Sequence, residues 1–429
     1  MRPAGRIAAA IEVLSEIEAR SRPVADAIKD WGLSHRFAGS GDRAAIANLV
    51  YDAVRWRRSS AWRADSDTAR GIVLGTLRFR WGVGLDDLAT LGDDGFGFGP
   101  PSDAEAAALA EDRLAAAPTP VAVDIPDWLA EPFEANFADE WAQEAAALAA
   151  RAPLDLRVNT LKADREKVLH QLKRFGATAG RISPVAVRLP ARAGWDRAPN
   201  IQREEIFQRG HVEVQDEGSQ AAALLVYAQP GDQVLDLCAG AGGKTLALSA
   251  HMENRGQIHA TDADAGQLAP IFERVKRAGA RNVQIHGADA DLSALEGRMD
   301  RVLVDAPCSG SGTWRRRPET KWRLSEQTLE RRMDDQAAVL DRARAFVRPG
   351  GYIVYVTCSV LPQENEGAVD AFLERSPEFA PVSAGEAWED LFGVGGPKPW
   401  SADGMSLTMT PAATGTDGFF LAVMERMAD

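Results

Sequence analysis

The sequence of 429 residues contains only three cysteines and no long apolar run. An odd number of cysteines, at positions 238, 308 and 358, fits neither a disulfide framework nor a zinc site. No stretch reaches the roughly 18 to 20 consecutive apolar residues of a membrane-spanning helix, and residues 1–6 lack the apolar core of a signal peptide. We therefore expect a cytoplasmic protein that binds neither a metal ion nor a membrane.

The net charge of -13 disfavours a nucleic-acid partner only if the acids are spread evenly. They are not: residues 83–150 contain fifteen acids and one base, whereas residues 1–82 contain fourteen bases and nine acids. Because the acidity is concentrated in one segment, basic surfaces that bind nucleic acid remain possible elsewhere.

The first third of the sequence is helical in pattern. Apolar residues recur at helical spacing through the first 80 residues, and residues 126–150 form an Ala-rich, acidic helical stretch. Between 91 and 125, a run rich in Gly, Pro, Asp and Ala indicates a loop. The pattern predicts an all-helical domain over residues 1–150.

Strand patterns begin after residue 150. Residues 154–158 and 185–189 read as strands on either side of a helical stretch at 165–175, which predicts a small α+β module over 151–212. In residues 213–429 strand and helix patterns alternate, as in a parallel, doubly wound α/β sheet. Its expected strands are 234–237, 257–261, 282–286, 301–304 and 352–356, with a closing strand at 418–423.

A glycine-rich turn follows the first of these strands, and it reads Cys238-Ala239-Gly240-Ala241-Gly242-Gly243-Lys244. A phosphate-binding P-loop needs a glycine where Cys238 stands, and the dinucleotide fingerprint needs one where Thr245 stands. Asp262 follows the next strand, at the place of an acid that bonds ribose hydroxyls, and Asp289 follows the third. This arrangement suits a cofactor with an adenosine but no phosphates, so S-adenosylmethionine is the candidate.

The other two cysteines, Cys308 and Cys358, each stand in a short turn directly after an apolar, strand-like run. Ends of parallel strands are where open α/β sheets bind their ligands, and a thiolate is the best nucleophile that a protein carries at neutral pH. We therefore expect thiol chemistry at the ends of two neighbouring strands.

These segments resemble the Sun/nucleolar-protein family of RNA cytosine-5 methyltransferases, in the bacterial ribosomal-RNA branch. The resemblance is carried by residues 236–245, 305–313, 357–359, 364–366, 215–220 and 416–420. The N-terminal helices more weakly resemble the NusB-like RNA-binding domain of that branch. The resemblance implies a class I methyltransferase domain with a Rossmann-like sheet over 213–429, after a NusB-like domain over 1–150 and an RNA-recognition-like module over 151–212.

The resemblance also implies the reaction, which is S-adenosylmethionine-dependent methylation of carbon 5 of a cytidine in RNA, with small-subunit (16S) ribosomal RNA as the expected substrate. Cys358 would be the nucleophile that adds at carbon 6, and Cys308 would assist release of the product. Asp305 would border both the cofactor and the cytosine. The cofactor contacts carried over are Cys238, Ala239, Gly240, Ala241, Gly242, Gly243, Lys244, Asp262, Asp289 and Asp305.

A basic run follows the Cys308 turn, and we expect it to bind RNA phosphates. Its members are Arg315, Arg316, Arg317, Lys321 and Arg323. A solvated charged loop is the alternative interpretation. Trp314 and Trp322 flank the run, and packing beneath it is favoured for them over stacking on bases.

Three alternatives remain open. A DNA cytosine-5 methyltransferase would use Cys308, in its Pro-Cys turn, as the nucleophile. A ribosome-assembly RNA-binding protein would keep the fold without turnover. A nicotinamide-dependent oxidoreductase is disfavoured by the missing third glycine. The sequence predicts neither the modified nucleotide nor the oligomeric state.

Overall fold

The computed structural model describes residues 1–20, 22–95 and 97–428, which form two compact units. The first unit comprises Met1–Arg151, Ala191–Ala198 and Trp314–Arg323, and the second comprises the remaining residues. In the described part of the chain, no helix is both long and apolar enough to cross a membrane. The division at residues 150 and 212 into three domains stays a prediction.

The first unit is built from helices, as the apolar spacing predicts. The apolar faces of the helices between residues 3 and 110 meet in one core, in which Ile7, Leu14, Ile46, Leu49 and Ile72 are fully buried. The helices span Pro3–Arg20, Val24–Ser34, Ser40–Arg55, Arg57–Ala64, Ala69–Phe79, Leu85–Gly92, Asp103–Ala110, Thr119–Ala122, Ala130–Phe137, Trp141–Leu148 and Pro318–Arg323, with 3₁₀ turns at Leu114–Ala116, Asp127–Leu129 and Ala138–Glu140.

The loop predicted between 91 and 125 contains a helix, Asp103–Ala110, so that prediction is wrong in part. The helix begins with a reciprocal cap. The Ser102 hydroxyl accepts a hydrogen bond from the Glu105 amide at 3.3 Å, and the Glu105 carboxylate accepts one from the Ser102 amide at 2.8 Å. These two bonds satisfy amides that a short helix leaves unpaired at its start.

The second unit contains a small antiparallel sheet. Its strands are β1 (Leu154–Val158), β2 (Thr178–Ala179), β3 (Ala186–Leu189) and β4 (Val212–Val214), in the order β2-β3-β1-β4. Alternate residues such as Leu156 and Val187 pack against the helix Arg165–Leu172. Short turns at Lys173–Phe175 and Ile201–Arg203, with the helix Glu205–Gln208, complete this part. The predicted strands and helix at 151–212 are confirmed.

The large sheet of the second unit has eight strands. They are β5 (Gln233–Asp236), β6 (Gln257–Ala260), β7 (Val283–Ile285), β8 (Met299–Asp305), β9 (Val347–Thr357), β10 (Phe379–Val382), β11 (Ser406–Met409) and β12 (Phe419–Arg426). The order is β10-β12-β9-β8-β5-β6-β7, and β11 pairs with β12. All six predicted strands are present, whereas β10 and β11 were not predicted.

Helices connect and cover the strands of the large sheet, as in a Rossmann-like methyltransferase fold. They span Glu217–Leu224, Gly243–His251, Ala265–Leu268, Ile271–Ala278, Glu326–Ala343, Glu366–Arg375 and Ala384–Phe392, with 3₁₀ turns at Ser293–Leu295 and Ser311–Thr313. Strands β5 to β9 pair in parallel, and β10, β11 and β12 pair antiparallel. The carboxyl ends of β9, β8, β5, β6 and β7 therefore lie along one edge in that order.

Candidate active site

Two of the three cysteines meet at the carboxyl ends of the adjacent strands β8 and β9. Cys308 lies three residues after Asp305, and Cys358 directly follows Thr357. Their Sγ atoms are 3.4 Å apart. The contact with Cys358, followed by burial, raises the pKa of the Cys308 thiol well above its usual value. At neutral pH Cys308 is therefore a thiol, which is a weak nucleophile.

A buried carboxylate joins the turns that carry these cysteines. Glu364 accepts hydrogen bonds from the hydroxyls of Ser309 and Ser359, each at 2.5 Å, and from the Ser309 amide at 2.7 Å. The side chain of Gln336 adds a fourth bond at 3.0 Å. The sequence drew attention to residues 364–366 only as a motif. Two of the three partners of Glu364, Gln336 and Ser309, could not be predicted, because they lie 28 and 55 residues away in the chain.

The acid at the end of β8 forms an ion pair. Lys244 Nζ lies 2.6 Å from Asp305 Oδ2, and the lysine is buried while the aspartate is about one third exposed. Lys244 also lies over the ring of Phe419, 5.2 Å from its centroid. The ion pair therefore joins the predicted cofactor loop to the strand that leads to Cys308, and it leaves part of the Asp305 carboxylate accessible.

The backbone of the glycine-rich turn adopts positive φ angles, which are strained for residues other than glycine. Gly240 has φ +48° and Gly242 has φ +82°. A Cβ atom on Gly242 would lie 2.5 Å from the side chain of Ile271, so the turn also packs too closely for a larger residue. The Gly240 amide donates to Asp262 Oδ2 at 2.8 Å, which fixes the predicted ribose-binding acid beside the turn.

Asp236, the last residue of β5, lies behind this turn and had no predicted role of its own. Its Oδ2 accepts a hydrogen bond of 2.6 Å from the Thr245 hydroxyl, and burial raises its pKa to about 7. Within the described residues, its buried Oδ1 has no hydrogen-bond partner. Burial, followed by the charge of Asp236, raises the pKa of the Cys238 thiol, so Cys238 is not a reactive cysteine.

The remaining predicted cofactor residues lie at the same edge of the sheet. Ala239 is buried, and Ala241 and Gly243 are half-buried. Asp262 is half-buried after β6, and Asp289 is exposed in the turn after β7. The sheet order thus places the acids that follow β8, β5, β6 and β7 in one row.

A buried arginine and a half-buried one donate hydrogen bonds to carbonyl groups of the glycine-rich turn. Arg157, on β1 of the small sheet, donates to the Gly243 carbonyl at 2.8 Å, and Arg274 donates to the Ala241 carbonyl at 2.7 Å. Glu213, on β4, forms an ion pair of 3.1 Å with Arg274. Burial lowers the pKa of Arg157 to about 10. The polar face of the small sheet therefore supports the turn, a function that the sequence pattern did not reveal.

The predicted phosphate-binding run is a mixture of buried and exposed residues, and it belongs to the first unit. Arg315 and Lys321 are buried, Arg316 is half-buried, and Arg317 and Arg323 are exposed. Burial of Arg315 and Lys321 disfavours direct phosphate contact by these two residues in this conformation. The assignment of all five residues to RNA binding stays a prediction.

Packing explains the buried members of this run. Lys321 donates to the Arg55 carbonyl at 3.3 Å and lies over the ring of Trp322 at 4.5 Å. Trp314 is fully buried and stacks on Phe133 with 5.9 Å between ring centroids. The Trp322 indole donates to the Val54 carbonyl at 2.7 Å. The prediction that both tryptophans pack rather than stack on bases agrees with these contacts.

Comparison with known proteins finds matches to one protein family over most of the chain. Residues 223–425 match the family model described as 16S rRNA methyltransferase RsmB/F, and residues 125–194 match its ferredoxin-like domain. A ribosomal RNA small subunit methyltransferase B of Cronobacter sakazakii is 34% identical over 302 residues, which are 69% of this chain and 65% of that protein. The chain therefore spans slightly less than two thirds of the length of this relative.

Other known proteins extend the similarity. A probable ribosomal RNA small subunit methyltransferase B of Synechocystis is 31% identical over 70% of this chain and 66% of its own length. The crystal structure of PH0851 covers 99% of both chains, with 25% identity and a TM-score of 0.74. The agreement of family models, relatives and fold confirms the resemblance drawn from the motifs, and the family that this chain resembles is the RsmB/F family of methyltransferases.

Proposed function

We propose that the protein transfers a methyl group from S-adenosylmethionine to carbon 5 of a cytidine in RNA, with small-subunit ribosomal RNA as the substrate. The observation that carries this proposal is the 3.4 Å approach of Cys308 and Cys358 at the ends of two adjacent parallel strands. The name of the relative from Cronobacter sakazakii supports the choice of ribosomal RNA.

The acids at the sheet edge fit this cofactor. S-adenosylmethionine has a sulfonium, an ammonium and ribose hydroxyls, and carboxylates are suitable partners for all three. Asp236 offers a buried oxygen that, among the described residues, has no hydrogen-bond partner, and Asp262 is fixed beside the glycine-rich turn. Asp305 is partly exposed next to Lys244. When bound, the cofactor supplies an electrophilic methyl group.

The chemistry assigned to the chain is covalent activation of the base. The Cys358 sulfur adds to carbon 6 of the cytosine, which makes carbon 5 nucleophilic. Asp305 stabilises the adduct at the ring nitrogen N3. After methylation, the proton on carbon 5 passes to a water molecule, and the electron pair of that bond restores the ring double bond as the Cys358 sulfur leaves. The Cys308 thiol, in contact with that sulfur, donates a hydrogen bond to it and so assists its departure.

The target base must be unstacked to reach a sulfur at a sheet edge, so we expect a looped or flipped cytidine. Residues 1–150 and the module at 151–212 are proposed to bind the RNA around it. Within the basic run, Arg317 and Arg323 are exposed and are assigned to phosphate contacts, together with the half-buried Arg316.

The test is a denaturing gel of Cys308→Ala and Cys358→Ala variants after incubation with labelled ribosomal RNA and S-adenosylmethionine. A shifted, covalent band for Cys308→Ala alone is expected, because that variant forms the adduct and fails to release it. A band for Cys358→Ala alone would reverse the two roles and favour the DNA-type mechanism. No band in either variant, with no methylation by the wild type, would favour a non-catalytic RNA-binding protein.

A further inference from the structure

Glu364 is the residue through which the two cysteine turns are joined. Its side chain is fully buried, and its Oε1 and Oε2 atoms together accept four hydrogen bonds. A buried carboxylate is costly unless such donors replace its hydration. The donors come from the turn after β8, from the turn after β9 and from the helix Glu326–Ala343, so one side chain connects three separate segments.

Two of the residues that bond Glu364 are direct neighbours of the two cysteines in the chain. Ser309 directly follows Cys308, and Ser359 directly follows Cys358. Further bonds close the same network. The Ser311 and Ser359 hydroxyls are 2.9 Å apart.

Backbone groups of both turns take part as well. The Gly312 amide donates to the Cys358 carbonyl at 2.9 Å, and the Gln336 side chain donates to the Pro307 carbonyl at 3.0 Å as well as to Glu364. Through these bonds, a shift of one turn against the other breaks at least one contact to a buried carboxylate.

We propose that Glu364 is a positioning residue that ties the Cys308 turn to the Cys358 turn and thereby sets the distance between the two sulfurs as the adduct forms and is released. The inference rests on the proposed function, because it assigns the positioning to the covalent step. Glu364 touches neither sulfur in this role and acts through Ser309 and Ser359.

Two substitutions of Glu364 should have different effects on these hydrogen bonds. Glu364→Gln keeps the length of the side chain, and serine hydroxyls can accept as well as donate, so glutamine can keep all four bonds. Glu364→Asp keeps the charge, but it is one methylene shorter and cannot reach both turns. A misplacement of about 1 Å at a reacting centre costs about 100-fold in rate.

The experiment measures single-turnover methyl transfer to ribosomal RNA by the full-length chain. We expect Glu364→Asp to lower the rate by about 100-fold and Glu364→Gln to retain most of it. The Ser309→Ala, Ser359→Ala double variant should lose rate in the same direction, since it removes the tie from the other side. Glu374→Gln, at an exposed position of the helix Glu366–Arg375, is the matched control and should match the wild type.

Two further readouts distinguish positioning from a general loss of structure. In Glu364→Asp, the S-adenosylmethionine Kd and the KM for RNA should stay near those of the wild type while kcat falls, and the variant should remain folded at the assay temperature even though the lost bonds lower its melting temperature. A loss of rate that follows the loss of cofactor binding, or a wild-type rate in Glu364→Asp, would overturn the proposal. A wild type that methylates no ribosomal RNA would instead contradict the proposed function.

A readout without RNA keeps the inference testable in that case. Hydrogen peroxide oxidises two thiols held together to a disulfide, and the two thiol hydrogens leave as the peroxide is reduced to water. Mass spectrometry should find the Cys308 to Cys358 disulfide forming more slowly in Glu364→Asp than in the wild type. Equal rates in the two proteins would show that Glu364 does not set the distance between the sulfurs.

Discussion

The carboxyl group of Asp236 makes the stability of the protein depend on pH near neutrality. Burial raises the pKa of this group from 3.8 to about 7. The folded chain therefore binds the proton more tightly than the unfolded chain does. The resulting stability is fully present below the unfolded pKa and is lost as the pH rises through about 7.

The size of the effect follows from the two pKa values. Between pH 5.5 and pH 8, a group with a folded pKa of about 7 and an unfolded pKa of 3.8 loses about 2 kcal/mol of its contribution to the free energy of unfolding. Other groups also titrate in this range. Burial lowers the pKa values of His251, His259 and His286, so they act in the opposite direction.

The Asp236→Asn variant isolates the carboxyl group, because asparagine keeps an acceptor for the Thr245 hydroxyl and does not titrate. Urea unfolding of both proteins at pH 5.5 and pH 8, without cofactor, gives four free energies of unfolding. The wild type should lose about 2 kcal/mol more than Asp236→Asn between the two pH values. Equal losses would refute the reasoning, since they would mean that the carboxyl group is already ionised at pH 5.5.

Three further predictions concern close contacts. Gly312→Ala should lower the free energy of unfolding by about 1 to 3 kcal/mol in urea titrations, because its Cβ atom would lie 2.2 Å from the Gly418 carbonyl oxygen; unchanged stability would contradict the packing. Arg157→Met should raise the S-adenosylmethionine Kd about tenfold in calorimetry, since the Gly243 carbonyl loses its hydrogen-bond donor. An unchanged Kd would show that the glycine-rich turn keeps its conformation without this bond. Burial lowers the pKa of the Lys321 amine to about 7, so Lys321→Met should raise the melting temperature more at pH 6 than at pH 9. RNA affinity should be unchanged in this variant, and weaker RNA binding would support the assignment of Lys321 to phosphate contact.

The large sheet could be predicted because its central parallel strands β8 and β9 contain buried apolar runs, at 302–304 and 353–356. Strand β10 contains Pro381 and pairs with β12 at the edge of the sheet, so its sequence carries little strand signal. The helix Asp103–Ala110 did carry a signal, since Ser102 and Glu105 have the spacing of a reciprocal cap. The Gly- and Pro-rich composition around it concealed that signal.

In the candidate site, too, residues marked by their local sequence could be predicted, whereas contacts between distant segments could not. Cys308, Cys358 and Asp305 could be named because each follows a recognisable strand. Two partners of Glu364, Ser309 and Gln336, could not be named, because these contacts are set by the packing of segments that are distant in the chain. The burial of Lys321 could not be predicted for a related reason, because a run of basic residues reveals charge but not which side chains the fold buries.

The acidic residues at the sheet edge act on the nearby cysteines as well as on a cofactor. The carboxylates that suit a cationic cofactor also oppose ionisation of nearby thiols, and Asp236, Asp305 and Asp262 all raise the pKa of Cys238. Lys244 offsets one of these charges through its 2.6 Å contact with Asp305. Glu364 lies in the network beside Cys308, and its charge adds to the contact with Cys358 and to burial in keeping Cys308 protonated. The Cys308 thiol, whose Sγ atom is 3.4 Å from that of Cys358, can therefore donate a hydrogen bond to the Cys358 sulfur, and this is the contact through which it assists release in the proposed mechanism.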